Sequence, residues 1–170
     1  MSMSQNKSNH PASERGIIRL NFRSTSPADI IEVSVKPLRQ QLHEKEIDLI
    51  VEIDHQLGKI IMDAEKIAWI MVSLISNSIR YTPRWGKIKV IAKPEEDHAI
   101  FIVEDNGQGI ADEHLESIFN SMLNKDNQKS AGLGLALTIS REIIHAHGGQ
   151  IWVESHVGKG TSFSFTLPFS

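Results

Sequence analysis

Lys87-Ile-Lys-Val-Ile-Ala-Lys93, Glu95-Glu-Asp97, His98-Ala-Ile-Phe-Ile-Val-Glu104 and Asp105-Asn-Gly-Gln-Gly-Ile110 follow one another along the chain, and their reading decides the fold. The first stretch alternates apolar and polar residues, which is the period of a half-buried strand. The acidic triplet is a turn, and the second apolar stretch returns as another strand. The chain then meets glycines at 107 and 109, a spacing of two. Glycine tolerates positive φ and lets other groups approach the backbone closely.

Working outward, the C-terminal part repeats the strand pattern. Gln150-Ile-Trp-Val-Glu154 and Thr161-Ser-Phe-Ser-Phe-Thr-Leu167 read as strands joined through Gly158-Lys-Gly160. Between the two hairpins, Asp112 is expected to cap a short helix reaching about Ser121. Residues 123–131 read as a polar loop, and a long helix then runs to His147, stopped by Gly148-Gly149. Upstream, Asp63 can cap a helix whose residues Ile67, Ile70, Met71, Leu74, Ile75 and Ser78 share one face. Thr82-Pro83 ends it. Leu49-Ile-Val-Glu-Ile53 is a strand, and Ile17-Ile-Arg-Leu-Asn-Phe22 alternates like a short one. Ser26-Pro27 opens a helix carrying Ile30, Ile31, Val35, Leu38 and Leu42, which Pro37 should kink or restart. The sum is a mixed sheet with several helices, layered as α+β rather than as a doubly wound parallel sheet.

Composition bounds the rest. The 170 residues suit one domain, and 40% hydrophobic content suffices for a core. There is no cysteine, so disulfides and thiolate metal sites are excluded, and a reducing, cytoplasmic setting is the natural reading. A net charge of −3 argues against non-specific nucleic-acid binding. No apolar stretch approaches the roughly 20 residues of a membrane helix. Residues 1–15 are polar and are expected to be a disordered tail or a cloning remnant, leaving 16–170 as the domain. The parent protein is free to carry a membrane anchor elsewhere.

Three groups of residues carry possible chemistry. Asp105 at a strand end can accept a hydrogen bond from an amine such as adenine N6, although Asp-Asn-Gly is also ordinary turn chemistry. Ser130-Ala-Gly-Leu-Gly-Leu135 leads into a helix, whose first N–H groups favour phosphate. Lys125 and Lys129 in the preceding loop could add charge, and glycines at 132 and 134 could equally serve close packing. Asn77, Arg80 and Tyr81 share a helix face at i, i+3 and i+4. They offer an oxygen to Mg²⁺, charge to phosphate and a ring to a base, or simply form a polar helix end.

The order and spacing of these groups resemble the catalytic ATP-binding domain of sensor histidine kinases, within the wider gyrase, Hsp90, histidine kinase and MutL superfamily. Ser76-Asn-Ser-Ile-Arg-Tyr-Thr-Pro83 looks like the N box, and Glu104 to Ile110 like the G1 box. Ile118-Phe119 looks like the start of the F box, and Ser130 to Leu135 like G2. His147-Gly-Gly149 and Gly158-Lys-Gly-Thr161 complete the pattern, which covers about residues 17–168. The resemblance implies a two-layer α+β sandwich of Bergerat type, with about three helices on one face of a mixed, mostly antiparallel sheet. It implies that Asn77 holds Mg²⁺, that Asp105 bonds the adenine amino group, and that Gly107 and Gly109 make room for ATP. Arg80 would reach phosphate, Tyr81 would pack on the base, and Thr161 would support the adenine end. Gly132 and Gly134 would let a lid close on the phosphates, with Ile110, Leu133 and Leu135 completing the ATP-binding blocks.

Four features depart from the family pattern. Ser73 stands where these kinases usually carry Asn or Glu, so the catalytic positions read Ser73, Asn77 and Arg80. Met122 replaces a second Phe, Ser130-Ala-Gly132 replaces Gly-Thr-Gly, and the lid from Phe119 to Gly132 is short. Such kinases place an acceptor His on a dimeric helical hairpin before this domain, and none of the eight histidines fits that position. The expected function is therefore donation of the ATP γ-phosphate to a His on a separate dimerisation domain, and indirectly to a response regulator. The alternative is a degenerate kinase acting as a nucleotide-binding signalling module. His145 and His147 read as helix-end caps rather than metal ligands.

Overall fold

The computed structural model describes residues 18–119 and 131–169, with backbone alone for 131–134. Five strands form one sheet in the order β2-β4-β5-β7-β6: β2 is Asp48–Ile53, β4 Lys87–Glu95, β5 His98–Asp105, β6 Ile151–His156 and β7 Gly160–Pro168. Only β2 and β4 run parallel; the remaining pairs are antiparallel. The sheet is therefore mixed and mostly antiparallel, as expected. Alternation sends Ile88, Val90, Ala92, Ala99, Phe101, Val103, Phe163, Phe165 and Leu167 to one buried face. Phe101 and Phe165 are register partners, and their rings stack at 4.9 Å.

Helices cover that face. α1 is Pro27–Val35, α2 Arg39–Glu44, α3 Ala64–Tyr81, α4 Asp112–Leu115 and α5 Ala131–Ala146. α1 and α5 both pack on α3, which lies against β4 and β5. The apolar face read from spacing in α3 is the buried one, from Ile67 to Ser78. Pro37 does interrupt the first helix, where a 3-10 turn at Lys36–Leu38 separates α1 from α2. Ser26 and Pro27 open α1 as expected, although the Ser26 side chain makes no capping bond.

Some boundaries differ from the sequence expectation. The strand expected at Ile17–Phe22 forms later: β1 is Arg23–Thr25, antiparallel to β3 at Ile60–Met62. The earlier segment instead gives the Asn21 N–H to the Asp63 carboxylate at 2.8 Å. Asp112 is the first residue of α4 rather than its cap, which is Ala111, and the helix ends at Leu115. α5 is Ala131–Ala146, so Gly132 and Gly134 lie within the helix, whose start agrees with the sequence reading to within one residue.

Asp63 ties these parts together. Its Oδ1 accepts from the Lys66 backbone N–H at 3.1 Å, capping α3, and its Oδ2 accepts from the Lys66 ammonium at 3.3 Å. The Asp63 N–H donates to His147 Nε2 at 3.1 Å, while His147 Nδ1 donates to the Ile143 carbonyl at 2.8 Å. A backbone N–H can only donate and a carbonyl only accept, so His147 carries its proton on Nδ1. Both ring nitrogens are engaged, which makes His147 a cap that joins the end of α5 to the start of α3. Burial raises the Asp63 carboxyl, but the Asn21 and Lys66 N–H bonds and the Lys66 charge outweigh it and hold the group below the usual carboxylate range. A depressed folded-state value stabilises the fold above the unfolded value of about 3.9 and loses that contribution as pH falls through the folded value. Asp63→Ala should therefore cost about 1–2 kcal/mol near neutrality. Urea unfolding across pH should show the difference from wild type narrowing below pH of about 4.

Candidate functional site

The end of β5 is built around Asp105. Its Oδ1 accepts the Gly107 N–H at 2.8 Å and the Thr161 N–H at 3.3 Å. No partner among the described residues engages its Oδ2. Thr161 reaches this point because β5 and β7 pair with Asp105 opposite Thr161. One carboxylate oxygen is thus pinned by two backbone donors, and the other is free to accept. Both residues line an open cleft of about 640 Å³ at the end of the sheet, together with Glu104, Asp112, Glu154 and Ser155.

The loop after Asp105 is clamped from two sides. The Gln108 N–H points to the Tyr81 carbonyl at 3.4 Å, and the Gly158 N–H donates to the Gln108 carbonyl at 2.8 Å. The Ile110 N–H donates to Ser155 Oγ at 2.7 Å. A Cβ on Gly107 would stand 2.4 Å from the Tyr81 carbonyl oxygen, and one on Gly109, where φ is +80°, would stand 2.3 Å from the His156 carbonyl oxygen. The space beside both glycines is filled by protein backbone. Their absent side chains let the loop close against α3 and the β6–β7 hairpin.

The last turns of α3 supply the other polar groups. Asn77 is 7% exposed, and its Oδ1 has no hydrogen-bond partner. Buried polar atoms are nearly always paired, so this oxygen fits a missing ligand such as a hard cation. Arg80 is exposed, Tyr81 is half-buried, and Ser73 is half-buried one turn before Asn77. Lys45 Nζ caps this helix end through the Ile79 carbonyl at 2.7 Å and the Arg80 carbonyl at 3.2 Å. The fold brings Asp105 and Thr161 together at one cleft, and the end of the helix that carries Asn77, Arg80 and Tyr81 meets the loop after Asp105 through the Tyr81 carbonyl. Ile110 is half-buried against the core, and Leu135 is exposed on α5. Of Gly132, Leu133 and Gly134 the backbone alone is described, in the first turn of α5. Lys125 and Lys129 lie outside the described residues.

The profile of the histidine kinase-, DNA gyrase B-, and HSP90-like ATPases matches residues 62–170. The chain belongs to that family. Among relatives of this ATPase domain is the adaptive-response sensory kinase SasA of Synechococcus sp. (strain JA-3-3Ab). It is 34% identical over 154 residues, which cover 89% of this chain and 41% of that protein. The chain thus spans about two fifths of the length of that kinase. The nucleotide-free catalytic domain of histidine kinase ThkA superposes with a TM-score of 0.78 at 28% identity, covering 88% of this chain and 97% of that one. Full-length ShkA in complex with AMPPNP gives a TM-score of 0.80 at 25% identity, covering 90% of this chain and 32% of that one. The region shared with these kinases is their ATP-binding catalytic part.

Sequence reasoning passed over two residues of this ATPase domain. Ser155 is buried between the loop and the β6–β7 hairpin. It follows Ile151 and Val153 at alternate positions of β6, and a polar residue at the next inward position of a strand was a readable signal. Lys45 carried no such signal, because its role depends on a helix end 34 residues away.

Proposed function

We propose that this chain binds Mg-ATP as the catalytic domain of a sensor histidine kinase and presents the γ-phosphate to a His on a separate dimerisation domain. The observation that carries the reading is Asp105, whose Oδ1 is held by the Gly107 and Thr161 N–H groups while Oδ2 stays free to accept. A carboxylate oxygen so fixed suits the exocyclic amine of adenine, and its rigidity costs no reordering on binding. Tyr81 packs on the base, and Thr161 supports its amino edge. Arg80 gives charge to phosphate, together with Lys125 and Lys129. The N–H groups of the first turn of α5, at Gly132, Leu133 and Gly134, face the phosphates in the manner of helix N-termini, beside Leu135. Ile110 anchors the loop that Gly107 and Gly109 close.

Asn77 Oδ1 would hold Mg²⁺, which when bound neutralises charge on the phosphate oxygens. Ser73 stands one helical turn away and would offer a neutral hydroxyl beside that ion. Phosphoryl transfer rests chiefly on positioning and electrostatics, so this chain's part is to hold the nucleotide while nucleophile and acceptor come from elsewhere. We place the domain in the cytoplasm, where a response regulator would receive the phosphoryl group in turn. Among the described residues no helix is long and apolar enough to cross a membrane.

Calorimetric titration should show Mg-ATP binding with Kd between about 1 μM and 1 mM, the usual span for enzyme substrates. No heat at millimolar nucleotide sinks the reading. Asn77→Ala should weaken binding about tenfold or more in the presence of Mg²⁺ and much less in EDTA, as expected for loss of one charged contact. Equal losses in the two conditions remove Asn77 from the metal. Labelled ATP mixed with this chain and the parent's helical acceptor domain should place the label on a His, and no label should appear on this chain alone.

A further inference from the structure

The hydroxyl of Ser155 sits at the junction of the loop, the hairpin and Thr161. Three groups surround its Oγ: the Ile110 N–H at 2.7 Å, the Gly160 carbonyl oxygen at 2.9 Å and Thr161 Oγ1 at 2.8 Å. A serine hydroxyl has one proton and two lone pairs. The Ile110 N–H can only donate, so it takes one lone pair. The Gly160 carbonyl can only accept, so it takes the proton. One lone pair remains, and Thr161 must supply its own proton to fill it. The direction of the Ser155–Thr161 bond, ambiguous from distance alone, is therefore decided by the two backbone groups.

This has a consequence for the cleft, which Ser155, Thr161 and Asp105 all line. With its proton committed to Ser155, Thr161 Oγ1 offers only lone pairs. Asp105 Oδ2 likewise only accepts when ionised. The adenine end of the site then presents acceptors and no side-chain donor from this pair. A purine with an amino group at C6 meets complementary acceptors. A purine with a carbonyl there meets lone pairs on lone pairs, and a buried acceptor left unpaired is costly.

We infer that Ser155 is a specificity-determining positioning residue, which selects 6-amino over 6-oxo purine nucleotides by locking the Thr161 hydroxyl as an acceptor. The inference rests on the adenine reading of Asp105 given above. Ser155 acts through Thr161 and need not touch the nucleotide.

The test compares ATP and inosine triphosphate, which carries a carbonyl at C6, by calorimetry on the whole chain with Mg²⁺. Wild type should prefer ATP. Ser155→Ala frees the Thr161 proton to turn toward a C6 carbonyl, so the ATP-to-ITP affinity ratio should fall about tenfold, the order of one neutral hydrogen bond. Ser155→Thr keeps a hydroxyl and should keep the ratio. Ser155→Cys, nearly the same size but a poor acceptor, should lower it and serves if the alanine variant fails to fold. A loosened loop would weaken both nucleotides alike, so equal losses with an unchanged ratio in the alanine and cysteine variants overturn the inference while leaving the adenine reading intact. A wild type that binds both nucleotides equally overturns the adenine reading and this inference with it.

Discussion

Gly160→Ala is expected to destabilise the fold by about 4 kcal/mol or more and to lower Tm by roughly 10 °C, a large share of the total stability of a domain this size. At Gly160 φ is +129°, a conformation that side chains avoid. The added Cβ would lie 1.9 Å from the Asp105 carbonyl oxygen and 3.0 Å from the Asn106 Cα. Both obstacles are backbone, so no rotamer change relieves them, and β7 would have to draw away from the end of β5. Gly158→Ala in the same hairpin is the control. It also has positive φ, at +85°, but nothing lies within 4 Å of the new Cβ. It should cost only about 1 kcal/mol, the conformational part alone. Thermal unfolding of the two variants side by side measures the difference. Similar small losses would mean that the strand ends separate easily and that Asp105 is not held as tightly as its contacts imply.

Asp105→Asn is expected to reduce ATP affinity about thirtyfold to a hundredfold while changing stability by less than about 1 kcal/mol, the pattern of an isosteric change that reverses one hydrogen bond to a charged group. The reason lies in the pinned oxygen. The Gly107 and Thr161 N–H groups both require an acceptor at the Oδ1 position. The asparagine oxygen must therefore take that place, which turns its NH₂ group toward the position of Oδ2. A donor then faces the donor of the adenine amine. Calorimetry gives the affinity, and urea unfolding of the same samples gives the stability. Unchanged affinity would remove adenine from this corner of the site.

Much of the fold was legible because its signals are local. The buried face of α3, the turn at Glu95-Glu-Asp97 and the kink at Pro37 each follow from spacing or from one residue's chemistry. β3 at Ile60–Met62 escaped notice because three residues are too few to show a period. The strand expected at Ile17–Phe22 had the right alternation. Pairing instead begins at Arg23, after the Asn21 N–H has been given to Asp63. In the candidate site, Asp105, Asn77 and the glycines were singled out by type and order, which are visible along the chain. A packing task of Gly107 and Gly109 was not legible, because the atoms nearest their Cβ positions come from Tyr81 and His156, remote in the chain.

By itself, the sequence determined most of the strands and helices, that the sheet is mixed, and that a family of ATPases is present. Hydrophobic period, caps and motif order are properties of neighbouring residues, and they survive without knowledge of the rest of the chain. Only the tertiary structure decided that Asp105 lies opposite Thr161, that one of its oxygens is pinned and the other free, and that Ser155 sets the direction of the Thr161 proton. Those facts depend on strand register and on backbone groups brought together from distant segments. A hydrogen bond's direction is fixed by all of its neighbours at once, and a linear reading does not hold them together.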